Sequence, residues 1–501
     1  MLGSAVARAE TIPVWSWVYG ALRSFELRGL VHLEPEIPYS FDQVEAYTKE
    51  IVENAKRDHV VLGPRDAFLL ARLTEQFVGM RNRPEDRYDP PVYVVHDADR
   101  YAYFDMLLGG SVRKKVDEKK GEGDGLGVPD VLVSLGPRVT LEADYRLVMA
   151  PERGSNVRNE KPTARLRSYR GLTAEAERAL LDAGGERWEV RVGREYIQWG
   201  SGIGEGLIVS RTAGSLDQVS ARFGLGPFAL STFQAFLDSR TERHFAGHHL
   251  SLALPKGAFV GIGETVVYVR DFDFMYLVPL GSYYAQQFSE ESNNDNILWA
   301  VDWKVPLWRR FLLYGEFLVD DIQYERDELA GPDKLGLNIS AEALLVVGGR
   351  ELELSAAYTY VGTYTYAHDF GTAYVAGDGD PLMNPILGSS LGPDADRWRC
   401  GATLGVSSRA TIGAEGVFTR RGEGNAPADD HLLDWRPGLN NDPPFPNGVV
   451  LHEKAVSAEF LYDLPKGSYV TAGGGVRFRS GGPGHIDTKD GFGWLEIVLD
   501  L

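Results

Sequence analysis

LGLNISAEALLVV-GGR-ELELSAAYTY, residues 335–360, is the stretch that decides the fold. Leu335, Leu337, Ile339, Ala341, Ala343, Leu345 and Val347 alternate with Gly336, Asn338, Ser340, Glu342 and Leu344. Past the turn, Leu352, Leu354, Ala356, Tyr358 and Tyr360 alternate with Glu351, Glu353, Ser355 and Thr359. Period two marks strands with one apolar and one polar side. Each run lasts about 9–13 residues, against about 5–6 for an ordinary soluble strand. Crossing a bilayer at a tilt of about 45° takes about 9–11 residues, so the length points to membrane-spanning strands.

The pattern spreads both ways. Val139, Leu141, Ala143, Tyr145, Leu147 and Met149 alternate with polar partners, as do Ile297, Trp299, Val301, Trp303 and Val305. Tight turns at 255–258 (PKGA), 306–309 (PLWR), 348–350 (GGR), 407–409 (SSR) and 465–467 (PKG) alternate with long connections. The long ones, 270–296, 320–334, 362–397, 420–453 and 480–490, are rich in Asp, Asn, Gly and Pro. Short turns at one end and long loops at the other are the layout of an outer-membrane barrel. The closing GFGWLEIVLDL, 491–501, alternates to its last residue, as a strand pairing back onto the first one would. Nineteen runs can be counted, and a single-chain barrel needs an even number. The expectation is an all-β transmembrane barrel of about 18 antiparallel strands over 95–501, with 16 as the alternative, in the bacterial outer membrane. Trp188, Trp299, Trp303, Tyr358, Tyr360, Trp398 and Trp494 are expected in its two aromatic girdles. Cys400, in phase with Trp398, Ala402 and Leu404, should face lipid.

Ahead of the barrel, residues 10–85 read as a helical periplasmic bundle. Pro13 suits a first helical turn, Ser40 and Gln43 form a capping-box pair, and Pro64 opens a run carrying Phe68, Leu69, Leu73 and Phe77. Ala7-Arg8-Ala9 has the small-x-small form of an export cleavage site, so 1–9 are read as the remnant of an export signal.

Composition narrows the function. Lys+Arg number 52 and Asp+Glu 71, a net charge of −19 without a basic stripe, which argues against nucleic acid as a partner. A single cysteine excludes an intramolecular disulfide and a cysteine zinc site. WGSGIGEG at 199–206 lacks the strand–helix context of a dinucleotide loop and reads as a tight bend before a strand GLIVSRT. His244, His248 and His249 in an extended strand cannot share one ion, since i and i+4 lie about 13 Å apart at ~3.3 Å per residue. The acidic runs at 320–321, 293–296 and 378–380 lack calcium-loop spacing. Glu142, Asp144, Asp302, Glu342, Glu415 and Glu459, interleaved with Arg146, Lys304, Arg399 and Arg477, fall on the inward face as a mixed-charge lumen. No catalytic residue, metal site or cofactor is expected.

RVGREYIQWGSGIGEGLIVSRTAGSLDQVSARF (191–223), RHFAGHHLSLAL, VGIGETVVYVR, YLVPLGSYYAQQF and NDNILWAVDWKVPL…LLYGEFLVDDIQ follow in an order similar to the central stretch of the capsule assembly Wzi family of outer-membrane proteins. IPVWSWVYGALRSFELRGLV, 12–31, resembles the region ahead of the barrel in such proteins. The resemblance implies an 18-stranded barrel preceded by a small periplasmic bundle. It also implies a lectin-like role in which capsular polysaccharide or exopolysaccharide is held at the cell surface. It transfers no ligand-binding residue.

Sugars pair with exposed aromatic rings flanked by carboxylates and amides. The long loops offer such mixtures: Tyr276, Tyr283, Tyr284 and Asp295 in the first, Tyr364, Tyr366, Asp369 and Tyr374 in the second, Trp435 in the third. These are the candidate polysaccharide contacts, although loop aromatics can equally pack a loop down over the barrel mouth. Outer-membrane lipid and lipopolysaccharide are the other expected partners. A porin or substrate channel through the lumen is the alternative function, and an outer-membrane hydrolase a distant third.

Overall fold

The computed structural model describes residues 10–501 apart from 80–82, 98–99, 117–120, 137, 150–171, 186, 201–205, 288–294, 323–330, 369–370, 382–383, 426–431, 433, 435–441 and 485. Three helices come first: α1 (Trp17–Leu27), α2 (Phe41–Arg57) and α3 (Pro64–Phe77). The Ser40–Gln43 capping box forms at the start of α2, and Pro64 occupies the first turn of α3.

Among the described residues 19 strands follow. The five-residue strand Tyr93–Asp97 pairs with the start of Arg100–Lys115 and stays outside the ring. The other 18 run as one antiparallel series from Arg100–Lys115 to Ile486–Asp500. Those two strands pair with each other, Leu499 opposite Leu108 and Phe492 opposite Lys115, and close the barrel. Closure removes the free edges that an open sheet would expose. The even count is the one expected. The expected long connection at 480–490 is instead mostly ladder, because one strand runs to Gly481 and the next starts at Ile486.

The period-two pattern sorts as the physics requires. Leu141, Tyr145 and Met149 face outward and stay exposed, while Thr140, Glu142, Asp144 and Arg146 between them are buried in the lumen. Trp299 and Val301 face out, and Asp302 and Lys304 face in. A cross-strand row, Tyr358, Trp398, Phe418, Lys454, Phe478 and Lys489, marks the long-loop end of the outer wall as a girdle of rings with interspersed ammonium groups. Cys400 is exposed, in phase with Trp398. One girdle expectation is corrected: Leu495, Ile497 and Leu499 are the exposed outward set of the last strand, so Trp494 faces the lumen.

Candidate functional site

The N-terminal segment and helices close the short-turn end of the lumen, and their side chains answer the wall's inward charges. Arg23 donates to Glu342 at 2.6 Å, and Arg28 lies 2.5 Å from Asp66 and 2.9 Å from Glu351. Lys304 on the wall donates to Glu26 of α1 and, at 2.7 Å, to the Leu33 carbonyl. Arg65 and Arg72 of α3 both reach Asp463. His249 bridges Glu36 and Asp302 at 2.8 Å each, which excludes it from metal binding with its neighbours. Thr11 donates through its backbone N–H and hydroxyl to Glu142, which Arg178 also contacts at 2.7 Å. Burial pushes the Asp66 carboxyl up to about 8, and its hydrogen bond with Glu351 adds to the rise, against the pull of Arg28.

From the other end the connection at 362–394 does not stand out into solvent. It folds into the lumen, where Tyr366, Tyr374, Val375 and Leu387 join Phe233, Phe245, Val267, Leu298 and Leu318 of the wall in one core. The Tyr366 hydroxyl donates to the Leu207 carbonyl at 2.7 Å, and Tyr374 donates to Ile208 at 2.5 Å. Residues 206–212, expected as a strand, are irregular because Glu316 accepts both the Leu207 and Ile208 N–H groups at 2.8 and 2.9 Å. That carboxylate pins the segment across the barrel. Of the expected bend at 199–206, 201–205 lie outside the described residues.

The connection after Val269 takes a third course, against the outer wall. Tyr276 and Tyr283 pack on Ala246, Val266 and Tyr268, all of which point away from the lumen. His248 meets Glu264 at 3.3 Å beneath them, and Glu264 accepts the Tyr283 and Tyr284 N–H groups at 3.0 Å. Asp295 accepts from the Tyr276 hydroxyl at 2.5 Å and pairs with Arg270 at 2.6 Å. The strap thus covers polar wall groups that would otherwise face lipid.

Between the helices, the infolded loop and the strands of one half of the barrel lies a cavity of about 1300 Å³. Trp15, Trp17, Tyr196, Tyr469 and Trp494 give it aromatic walls, and Glu177, Glu459 and Glu496 add carboxylates. Tyr196 donates to Glu177 at 3.0 Å and Tyr469 to Glu496 at 2.9 Å, so two rings are held by the acids beside them. The volume exceeds the ~300–1,000 Å³ of a usual small-molecule pocket and has room for several sugar rings.

Of the loop residues singled out in the sequence, Tyr276, Tyr283, Tyr364, Tyr366, Tyr374 and Asp295 are buried, their rings and carboxylate engaged by the fold itself. Tyr284 remains 46% exposed, its ring tilted against Trp299 with centroids 5.3 Å apart. Asp369 and Trp435 lie outside the described residues. The two large tyrosine-bearing loops therefore do not converge on one surface. The cavity aromatics were missed, although the phase of Leu495, Ile497 and Leu499 already turns Trp494 inward.

The barrel is similar to the solved structure of Wzi, an outer membrane protein involved in group 1 capsule assembly in Escherichia coli and a carbohydrate-binding β-barrel. The TM-score is 0.64 at 12% identity, covering 98% of this chain and 100% of that one. Pseudomonas aeruginosa OccK2 (TM-score 0.44, 11% identity, 79% of this chain and 97% of that one) is also similar. So is a BenF-like porin from Pseudomonas fluorescens Pf-5 (0.45, 10%, 80% and 98%). No family model and no curated protein matches the chain. The shared feature is the fold, an outer-membrane barrel, as the sequence resemblance implied.

Proposed function

We propose that the chain is a lectin-like outer-membrane protein that binds and anchors capsular polysaccharide or exopolysaccharide at the cell surface and takes part in capsule assembly. The observation that carries this reading is the filled lumen. Helices occupy one end and the 362–394 loop packs into it from the other, leaving a chamber walled by rings, carboxylates and guanidinium groups. Rings supply flat faces for sugars and carboxylates accept from their hydroxyls. Asp369, Trp435 and the partly exposed Tyr284 would add further sugar contacts. Many weak contacts repeated along one polymer hold it without a tight site. The carbohydrate binding of the similar barrel agrees with this reading.

Deleting the gene should release polysaccharide into the medium and thin the surface layer, and Trp494→Ala should reproduce part of that loss. Purified protein that conducts ions steadily in planar bilayers, with surface polysaccharide unchanged by the deletion, would overturn the reading in favour of a channel.

A further inference from the structure

One outward face of the barrel lies on the strands Ala410–Arg421, Leu451–Asp463, Tyr469–Gly481, Ile486–Asp500 and Arg100–Lys115. The register sets its outward residues in cross-strand rows. Nearest the long-loop end run Phe418, Lys454, Phe478 and Lys489. Two rows further toward the short-turn end run Ala414, Ala458, Gly474 and Gly493, with Lys114 opposite Gly493. In the next row Ile412, Phe460 and Leu495 are large and exposed again. The wall therefore dips to a trough between a rim of rings and ammonium groups and a shelf of bulky side chains. Packing does not force all of this. A Cβ at Gly416, one row above the trough, would meet nothing within 4 Å, and one at Gly493 only a backbone oxygen at 3.5 Å. Gly474 is tighter, 3.0 Å from the Phe492 oxygen. Glycine inside a strand weakens it and marks places where a ligand or another chain comes close.

The rim is cationic. Lys454 and Lys489 flank Phe478 in register, two strand spacings or about 10 Å apart. Their Nζ atoms lie 5.6 and 5.5 Å from the Phe418 and Phe478 ring centres. No carboxylate lies within 4.0 Å of Lys114, Lys454 or Lys489 among the described residues. Arg420 is spent on Asp396 of the neighbouring strand, at 2.9 and 2.5 Å, and His452 stacks on Phe418 at 6.2 Å. Asp487 stands opposite Ser480, one outward step beyond Lys489. Three ammonium groups thus face one further carboxylate, in a chain whose net charge is −19. From the trough to the short-turn end, the four strands between Ala410 and Asp500 carry no outward charge.

The long loops mark the outer side of the membrane, so the rim lies at headgroup level of the outer leaflet and the trough within its hydrocarbon. Ammonium groups over an apolar trough match a lipid whose headgroup carries phosphates. A second copy of the chain matches poorly, because an isologous contact would set the same lysines against each other. We propose that this face binds a lipopolysaccharide molecule of the outer leaflet. Its phosphates sit on Lys454, Lys489 and Lys114, and an acyl chain lies along the row from Ala414 to Gly493.

The test uses the full chain in phosphatidylcholine nanodiscs, with native mass spectrometry reading the lipid that stays on the protein. The probes are lipid A with both phosphates, dephosphorylated lipid A, and phosphatidylglycerol. The expected result is retention of one bisphosphorylated lipid A, with the other two held at least about tenfold more weakly. K114Q/K454Q/K489Q should lose the same factor for the bisphosphorylated form and nothing for the dephosphorylated one. Gly493→Leu, which fills the trough and leaves the ammonium groups in place, should weaken both forms of lipid A. Should the triple variant not fold, Gly493→Leu in the same comparison still locates the site. Equal retention of phosphorylated and dephosphorylated lipid A overturns the proposal, and so does undiminished binding by the variants. Equal retention of phosphatidylglycerol overturns the glycolipid assignment. A dimer that Gly493→Leu disperses, with no lipid A retained, gives the face to a second copy instead.

Discussion

Gly473 and Trp494 are register partners across adjacent strands, and a Cβ at Gly473 would stand 2.3 Å from the Trp494 indole and 2.6 Å from the Ala458 carbonyl oxygen. The glycine is what lets the ring lie along the wall beside the chamber. Gly473→Ala should push the indole out of place at a cost of about 1–3 kcal/mol, typical of overpacking. Tryptophan emission should shift, and polysaccharide binding should fall with the barrel still folded by heat-modifiable migration.

Glu26 and Lys304 are both almost fully buried and face each other between α1 and the wall. Removing Glu26 strands the Lys304 ammonium, whereas removing Lys304 leaves Glu26 paired with Arg23 at 3.0 Å. Glu26→Gln should therefore destabilise the docked helices by about 3–5 kcal/mol, Lys304→Met by less, and the double variant by clearly less than the two combined. A double-mutant cycle on denaturant unfolding of the detergent-solubilised barrel reads this directly.

The Asp66 carboxyl is raised from 3.8 to about 8 by burial and by Glu351. A raised acid favours the folded state most at low pH. Its contribution is full below about 3.8, declines as pH rises, and is gone above about 8. Protection factors of the α3 amides, with the intrinsic pH dependence of exchange divided out, should accordingly fall between about pH 4 and about pH 8, and Asp66→Asn should flatten that dependence.

Tyr276 holds the outer-wall strap through its 2.5 Å hydrogen bond to Asp295. Tyr276→Phe should cost about 1–3 kcal/mol locally, since the hydrogen bond is to a charged group. It should speed protease cleavage within 271–287 without changing barrel migration. Tyr284→Ala, whose ring is partly exposed, should leave cleavage unchanged.

Cys400 offers a direct check of which side of the wall meets lipid. In intact outer membranes its thiol should resist a charged, membrane-impermeant reagent and react with a small apolar maleimide. Rapid modification by the charged reagent would place it in water.

Much of the architecture was legible because a barrel wall repeats its two environments at every second residue. Glu142 and Leu141 declare opposite sides by adjacency alone, and the capping of α2 by Ser40 and Gln43 is set within four residues. The same logic would have turned Trp494 inward, had the phase of its own strand been followed. The short-turn, long-loop polarity follows from the same local signals, whereas the local count gave nineteen runs and only the need for an even number brought it to 18.

The course of the loops was not legible, because it is decided by partners far away in the chain. Tyr366 and Tyr374 read as solvent-facing sugar contacts until Leu207 and Ile208 supply carbonyls inside the lumen and Glu316 fixes that segment there. Tyr276 and Tyr283 face outward for a different reason: His248, Glu264 and Tyr268 on the outer wall need covering. By itself the sequence determined a closed barrel with a polar interior, since alternation encodes which face a residue meets. Only the tertiary structure decided which loop enters the lumen, which lies on the wall, and where arginines and rings line up, since those depend on hydrogen bonds and burial between residues that no local spacing relates.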